Sequence, residues 1–171
     1  VGLKRTPLRP GTKQLARKTP LKAVSAPRRA RGKRRPDEHK TSGELRKEAD
    51  LWFSRWVRLV RTNNDTGMCA CVTCGKERPP KEMQAGHFFK RSKLNTRYDR
   101  LNVWPQCPSC NVHGNGEYAA YAIFMLDAVG EAGMRELKER AESPSRFRAA
   151  DYIELRDMYK GLANSLDWRW W

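Results

Sequence analysis

The chain has 171 residues, and 35 Lys plus Arg against 19 Asp plus Glu give it a formal net charge of +16. Its longest uncharged apolar run, Ala119 to Leu126, falls far short of the roughly 20 residues a bilayer-spanning helix needs, which excludes a helical transmembrane protein. One modest domain with appendages fits the length; no apolar stretch of signal-peptide type follows the basic N-terminus, so an intracellular protein is expected, and its five Cys point to metal before disulfides.

Residues 1–40 carry 14 Lys or Arg and two acids, net +12, which leaves only +4 for the remainder. This stretch has no Phe, Trp or Tyr, and Pro7, Pro10, Pro20, Pro27 and Pro36 interrupt any helix, so it is expected to be a disordered basic tail. Thr6-Pro7-Leu8-Arg9 is echoed by Thr19-Pro20-Leu21-Lys22, a spacing suited to a flexible strap. Such a tail attaches to a polyanion by releasing condensed counterions from phosphates, which points to DNA or RNA. A membrane surface fits less well, because no amphipathic anchor or lipidation signal accompanies the charge.

Thr41 and Glu44 have capping-box spacing, and Leu45, Ala49, Trp52, Trp56 and Leu59 recur at helical steps, which predicts an amphipathic helix over residues 41–62. Asn63-Asn64-Asp65-Thr66-Gly67 stops it. From 63 to 116 short strands and loops are expected, too poor in apolar residues to be rigid without a metal cross-link. Helical patterning returns over 117–171, with Tyr118, Tyr121, Ala122, Met125 and Leu126 on one side, a stop at Gly130, a shorter helix to Ala141, and a last helix from about Arg148 to Leu166. In that last helix Tyr152, Leu155, Met158 and Leu162 form the expected buried stripe. Trp168-Arg169-Trp170-Trp171 either stacks on bases or clamps the domain.

The strongest chemical signal lies in the middle. Cys71-x-x-Cys74 and Cys107-x-x-Cys110 are two pairs with 32 residues between them, the spacing of a closed four-thiolate structural zinc site, and Cys69 is left over as a core or free thiol. Between and just after the pairs lie His87, Arg91, Arg97, Arg100, Asn102, Asn111 and His113. A strand-borne His and amide or imidazole ligands on a following helix are parts of a metal-dependent nuclease.

At Cys71-Val72-Thr73-Cys74-Gly75, Ala85-Gly86-His87-Phe88, Arg100-Leu101-Asn102-Val103 and Gln106-Cys107 through Cys110-Asn111, with Tyr118 and Gly130-Glu131 beyond, the sequence resembles the phage lambda NinG (Rap) recombination-protein family, and more broadly the HNH, or ββα-metal, endonucleases. The resemblance implies a phage-encoded, metal-dependent DNA endonuclease specific for branched recombination intermediates such as Holliday junctions and D-loops. The resemblance also implies action in the cytoplasm of a bacterial host, with phage or host recombination proteins as partners. His87 is then the general base, Asn102 braces the loop that carries it, and Asn111 joins His87 and His113 as a candidate Mg²⁺ or Mn²⁺ site. Arg91, Arg97 and Arg100 contact phosphate. One position departs from the pattern: the residue before the His is Gly86 where an HNH protein often has a metal ligand, so Gln84, Asp99 or His113 must substitute.

The fold expected is α+β, a small zinc-bound, treble-clef-like ββα core flanked by helices. Two other functions fit the same residues: a non-catalytic zinc-ribbon nucleic-acid-binding module, and a sequence-specific HNH homing or nicking enzyme. No groove-reading helix or ribbon can be identified, which favours shape recognition. Cutting two strands of a junction suggests a homodimer, with Trp52 and Trp56 or the Trp-rich C-terminus as its contact.

Overall fold

Thr41 starts the first helix as its sequence predicts: its hydroxyl accepts from the Glu44 N–H at 3.2 Å while the Glu44 carboxylate accepts from the Thr41 N–H at 2.8 Å. In the computed structural model, which describes residues 36–166, this helix, α1, spans Ser42–Leu59. The expectations for the tail over 1–35 and for the terminal Trp cluster lie outside the described residues. Order begins before Thr41, however. Asp37–His39 form one helical turn, and the Asp37 carboxylate takes two hydrogen bonds from Arg156, at 2.7 and 2.8 Å, with Lys40 joining at 2.8 Å. The tail boundary expected at residue 40 is therefore too late, because Asp37 and Lys40 complete an ion-pair network that sequence patterning cannot reveal.

Next come two hairpins. Strands β1 (Cys69–Ala70) and β2 (Glu77–Arg78) pair antiparallel, and β3 (Gln84–His87) pairs antiparallel with β4 (Val103–Gln106) in the register Ala85 to Pro105 and His87 to Val103. A short helix, α2 (Leu94–Arg97), lies in the connection between β3 and β4, and a helical turn, Ser109–His113, follows β4. Helix α3 spans Tyr118–Glu142 with a break at Gly130, whose φ of 69° and ψ of 174° only glycine adopts without strain, and α4 spans Ala149–Asn164. The secondary structure is thus helical with two small sheets, and among the described residues no helix is long and apolar enough to cross a membrane.

The largest core forms where α1 meets α4. Leu45, Ala49, Phe53 and Val57, one every fourth residue, put a single face of α1 against Tyr152, Tyr159 and Ala163. The ring of Phe53 meets Tyr159 edge-on at 4.7 Å and Tyr98 at 5.5 Å. The α4 stripe predicted from sequence is shifted: Met158 and Leu162 are exposed, and Tyr152, Tyr159 and Ala163 are the buried set. Trp52 and Trp56 belong to this packing too, Trp56 lying 5.1 Å from the Tyr159 ring, so they are not an exposed dimer contact. A second core gathers Phe88, Tyr121, Met125 and Leu137, drawing residues from both sides of the Gly130 break. Arg58 ties α1 to the start of β3 by donating to the carbonyls of Pro80 and Met83 at 3.2 and 2.8 Å.

A four-cysteine cluster beside a cationic cleft

Cys71 and Cys74 lie on the turn between β1 and β2, and Gly75, with φ of 71°, closes that turn in the left-handed region. The Gly75 N–H donates to the Cys71 carbonyl at 2.8 Å and the Cys71 N–H to the Lys76 carbonyl at 2.9 Å. Cys107 follows β4 directly, and Cys110 sits in the helical turn after it. The Val72 N–H donates to the Pro105 carbonyl at 3.0 Å, which docks the first pair on the strand that delivers the second. All four sulfurs then lie within 4.8 Å of one another, with Cys74 and Cys107 Sγ atoms 3.8 Å apart. Four thiolates about 2.3 Å from a tetrahedral zinc stand about 3.8 Å from each other, so the donor set fits a metal such as zinc.

Burial opposes charge on Cys71, but the Thr73 hydroxyl at 3.2 Å and the backbone N–H groups of Cys107, Thr73 and Cys74 outweigh it and bring this thiol down to about 6. Cys74 and Cys110 are raised instead, despite a backbone bond at Lys76 and the Thr73 hydroxyl respectively, by burial and the neighbouring thiols, so a metal would have to displace their protons. Cys69 is different. Fully buried beside Met83, it has its thiol pushed up to about 11 by burial and is a packing residue.

His87 ends β3 on the far side of the same hairpin. Its Nε2 lies 3.0 Å from the Arg97 carbonyl and its Nδ1 3.3 Å from the Ala85 carbonyl. A neutral imidazole donates from one nitrogen only; the shorter contact assigns the proton to Nε2 and leaves the lone pair on Nδ1. Burial, with the positive charge of Arg91 and despite the two carbonyls, brings the His87 pKa down to about 4, so the ring is neutral at pH 7. The edge of Phe53 packs 6.5 Å from it.

Asn102 is fully buried, and its amide is spent on the segment that follows His87. It accepts from the Phe89 N–H at 2.7 Å and donates to the carbonyls of Phe89 and Thr96 at 3.0 and 2.8 Å. It touches no open space, and so it is a positioning residue.

A cleft of about 240 Å³ opens beside His87, lined among others by Lys90, Arg91, Asn111, Asn115 and Tyr118. A second hollow of about 280 Å³, against α1, shares Ala85, His87 and Arg91 with it and adds Lys47 and Ser54. Asn111 donates to the Gln84 side-chain oxygen at 2.6 Å, which leaves its own Oδ1 as the available ligand atom. No carboxylate lines the first cleft. Its donors are neutral, so a hard divalent cation fits there only with a phosphate supplying anionic oxygens.

Several sequence expectations change at this point. Arg97 is 9% exposed and its guanidinium is committed, bidentate to Asp50 at 2.9 and 2.6 Å and to the Arg91 carbonyl at 2.7 Å, so it is not a phosphate contact. Arg91 and Arg100 are exposed, but only Arg91 lines the cleft. His113 is exposed at the end of its turn and is not among the residues that line the cleft with His87. Asp99 accepts from the Leu101 N–H and pairs with Arg140, both at 2.8 Å, and is likewise committed. Gly86 has a steric origin: a side chain there would collide with that of Gln106, which lies across it and donates to the Gly116 carbonyl at 2.9 Å. Lys90, Asn115 and Tyr118 reach the cleft although sequence reasoning gave none of them a role in the site. Two signals were available: Lys90 is close to His87 in the chain, and Tyr118 is among the residues that carry the family resemblance.

The sequence pattern of the family described as Bacteriophage Lambda NinG protein matches residues 7–168, nearly the whole chain. The chain belongs to the NinG family. Among curated relatives, protein ninG of Salmonella phage P22 is 28% identical over 69 residues, and those of Escherichia phage 933W and Enterobacteria phage VT2-Sa are each 26% identical over the same length. Each match covers 40% of this chain and 34% of the relative, so the chain spans about a third of the length of the curated relatives it matches. No solved structure matches it.

Proposed function

We propose that this NinG-family chain is a metal-dependent DNA endonuclease that cuts branched DNA of phage recombination, with zinc held by Cys71, Cys74, Cys107 and Cys110 as a structural ion. The observation that carries the proposal is the environment of His87: a neutral imidazole oriented by the Arg97 carbonyl, facing a cleft that contains Arg91, Lys90 and Asn111. Phosphodiester hydrolysis needs a base for water, positive charge around the phosphorane-like transition state, and a group that stabilises the leaving oxygen. On this proposal β3, β4 and the helical turn after them act as a ββα unit. Nδ1 of His87 takes the proton from water and, once protonated, donates a hydrogen bond to the Ala85 carbonyl at 3.3 Å, while Nε2 keeps its own proton on the Arg97 carbonyl. Arg91 and Lys90 hold the phosphate oxygens, and Asn102 keeps the Phe89 backbone in place so that the imidazole does not swing away. Asn111 would hold a divalent cation together with the phosphate, and that cation would supply Lewis-acid stabilisation of the leaving oxygen.

The test is cleavage of a four-way junction, a D-loop and a linear duplex of matched sequence, with Mg²⁺ or Mn²⁺ and with EDTA. His87→Ala is expected to abolish cutting of the branched substrates while zinc content, folding and DNA affinity stay near wild type. Cutting of linear duplex at fixed sites would instead support a sequence-specific enzyme. The absence of any cutting by folded, zinc-loaded wild type would leave a nucleic-acid-binding zinc module.

A further inference from the structure

Tyr118 is the first residue of α3 and 61% exposed, yet one face of its ring is not free: it stacks on Phe88 with centroids 4.8 Å apart and planes 14° from parallel. Phe88 is itself buried, directly follows His87, and is held edge-on by Tyr121 at 5.4 Å and Phe89 at 5.1 Å. The Tyr121 hydroxyl donates to the Gly86 carbonyl at 2.9 Å, so the aromatic stack and the β3 backbone that presents His87 form one rigid unit. Tyr118 also lines the cleft that holds His87, Lys90 and Arg91. A backed aromatic face, a pair of cations and an imidazole at one cleft are the complement of a single nucleotide, with its base on the ring and its phosphate at the cations.

We propose that Tyr118 is a base-stacking platform that selects DNA with an exposed base face at the cleft. This inference rests on the proposal that the cleft takes a DNA strand. A base within an intact duplex has both faces covered by its neighbours, whereas a base beside a branch, gap or flap has a face to offer, so a stacking platform discriminates by structure and tolerates any sequence. The phosphate of the stacked nucleotide then meets Lys90 and Arg91 beside His87, which sets the cut next to the discontinuity. Stacking of this kind accounts for structure selectivity without a groove-reading element.

The experiment measures binding of the full chain, without added Mg²⁺ or Mn²⁺, to a gapped duplex carrying a fluorescent base analogue opposite the gap and to the same sequence fully paired. Wild type is expected to quench the analogue. Tyr118→Ala is expected to lose the quenching and roughly tenfold in affinity for the gapped DNA, with affinity for the paired duplex unchanged, and Tyr118→Phe to behave as wild type. Equal losses on both DNAs, or no loss on either, would overturn the inference, as would a Tyr118→Ala variant that binds DNA normally but sediments differently, since that face would then be a protein contact. Because cleavage is not required, quenching by a protein that cuts nothing would sustain this inference while removing the nuclease. Junction cutting unaffected by Tyr118→Ala would do the reverse.

Discussion

His87 is held neutral by its surroundings, and this has a consequence for stability as well as chemistry. Its folded pKa of about 4 lies below the ordinary value of 6.5, so between those values the unfolded chain binds a proton that the folded chain refuses. The stability from this group is complete above about pH 6.5 and is lost progressively as pH falls to about 4. The urea midpoint of wild type is expected to drop over that window more steeply than that of His87→Gln. Parallel curves would mean that the imidazole titrates normally in the fold. Two arginines close in sequence divide by environment. Arg91→Ala, in the cleft, is expected to weaken DNA binding and to lower the slope of log affinity against log salt by about one. Arg97→Ala leaves Asp50 without its partner and is expected to cost stability of order 2 kcal/mol, read from the denaturation midpoint, before DNA is involved at all.

The two Cys turns set stability at the scale of elements. In the cluster of Cys69, Cys71, Met83, Cys107 and Cys110 only Met83 is not a cysteine, so apolar packing alone gives the β1–β2 hairpin little support, and a metal held by the four clustered cysteines would supply the cross-link. Cys107→Ser is expected to abolish stoichiometric zinc, measured by atomic absorption, and to loosen the hairpin. Cys69→Ala, which removes only a buried thiol, is expected to keep full zinc content. Zinc loss in both variants would place Cys69 among the ligands. The helices were the most legible part of the chain, because their signals are local. Thr41 and Glu44 form the predicted capping box, and Gly130 breaks α3 where the sequence placed a stop. The α4 stripe was not legible to the same degree, since Tyr152, Leu155, Met158 and Leu162 satisfy helical spacing as well as Tyr152, Tyr159 and Ala163 do, and only the position of α1 chooses between the two faces.

For the molecule as a whole, positive charge is concentrated before Pro36. Residues 1–35 hold 13 Lys and Arg and no acid. Asp37 and Lys40, by contrast, join Glu48 and Arg156 in the network that ties the chain to α1 and α4. Arg156, then Lys40, hold the Asp37 carboxyl far below its ordinary 3.8, so this network's contribution is present above about pH 4 and is lost only in stronger acid. A chain starting at Pro36 is expected to keep the thermal midpoint of the full protein while losing several units of salt dependence in DNA binding. A chain starting at Thr41 is expected to melt lower as well. Equal salt dependence with and without residues 1–35 would show that the tail does not contact phosphate.

Sequence alone determined what short-range chemistry enforces: the α1 cap, the break at Gly130, the two Cys-x-x-Cys turns and the segregation of charge to the N-terminal stretch. Tertiary structure decided which of the marked residues face open space. Arg97 and Asp50 are 47 positions apart and meet as a partly buried pair, Tyr118 stacks on Phe88 from a different element, and Gln106 fills the space that makes residue 86 a glycine. Each outcome depends on a partner distant in the chain, and spacing within a segment carries no record of which side chain will arrive from elsewhere.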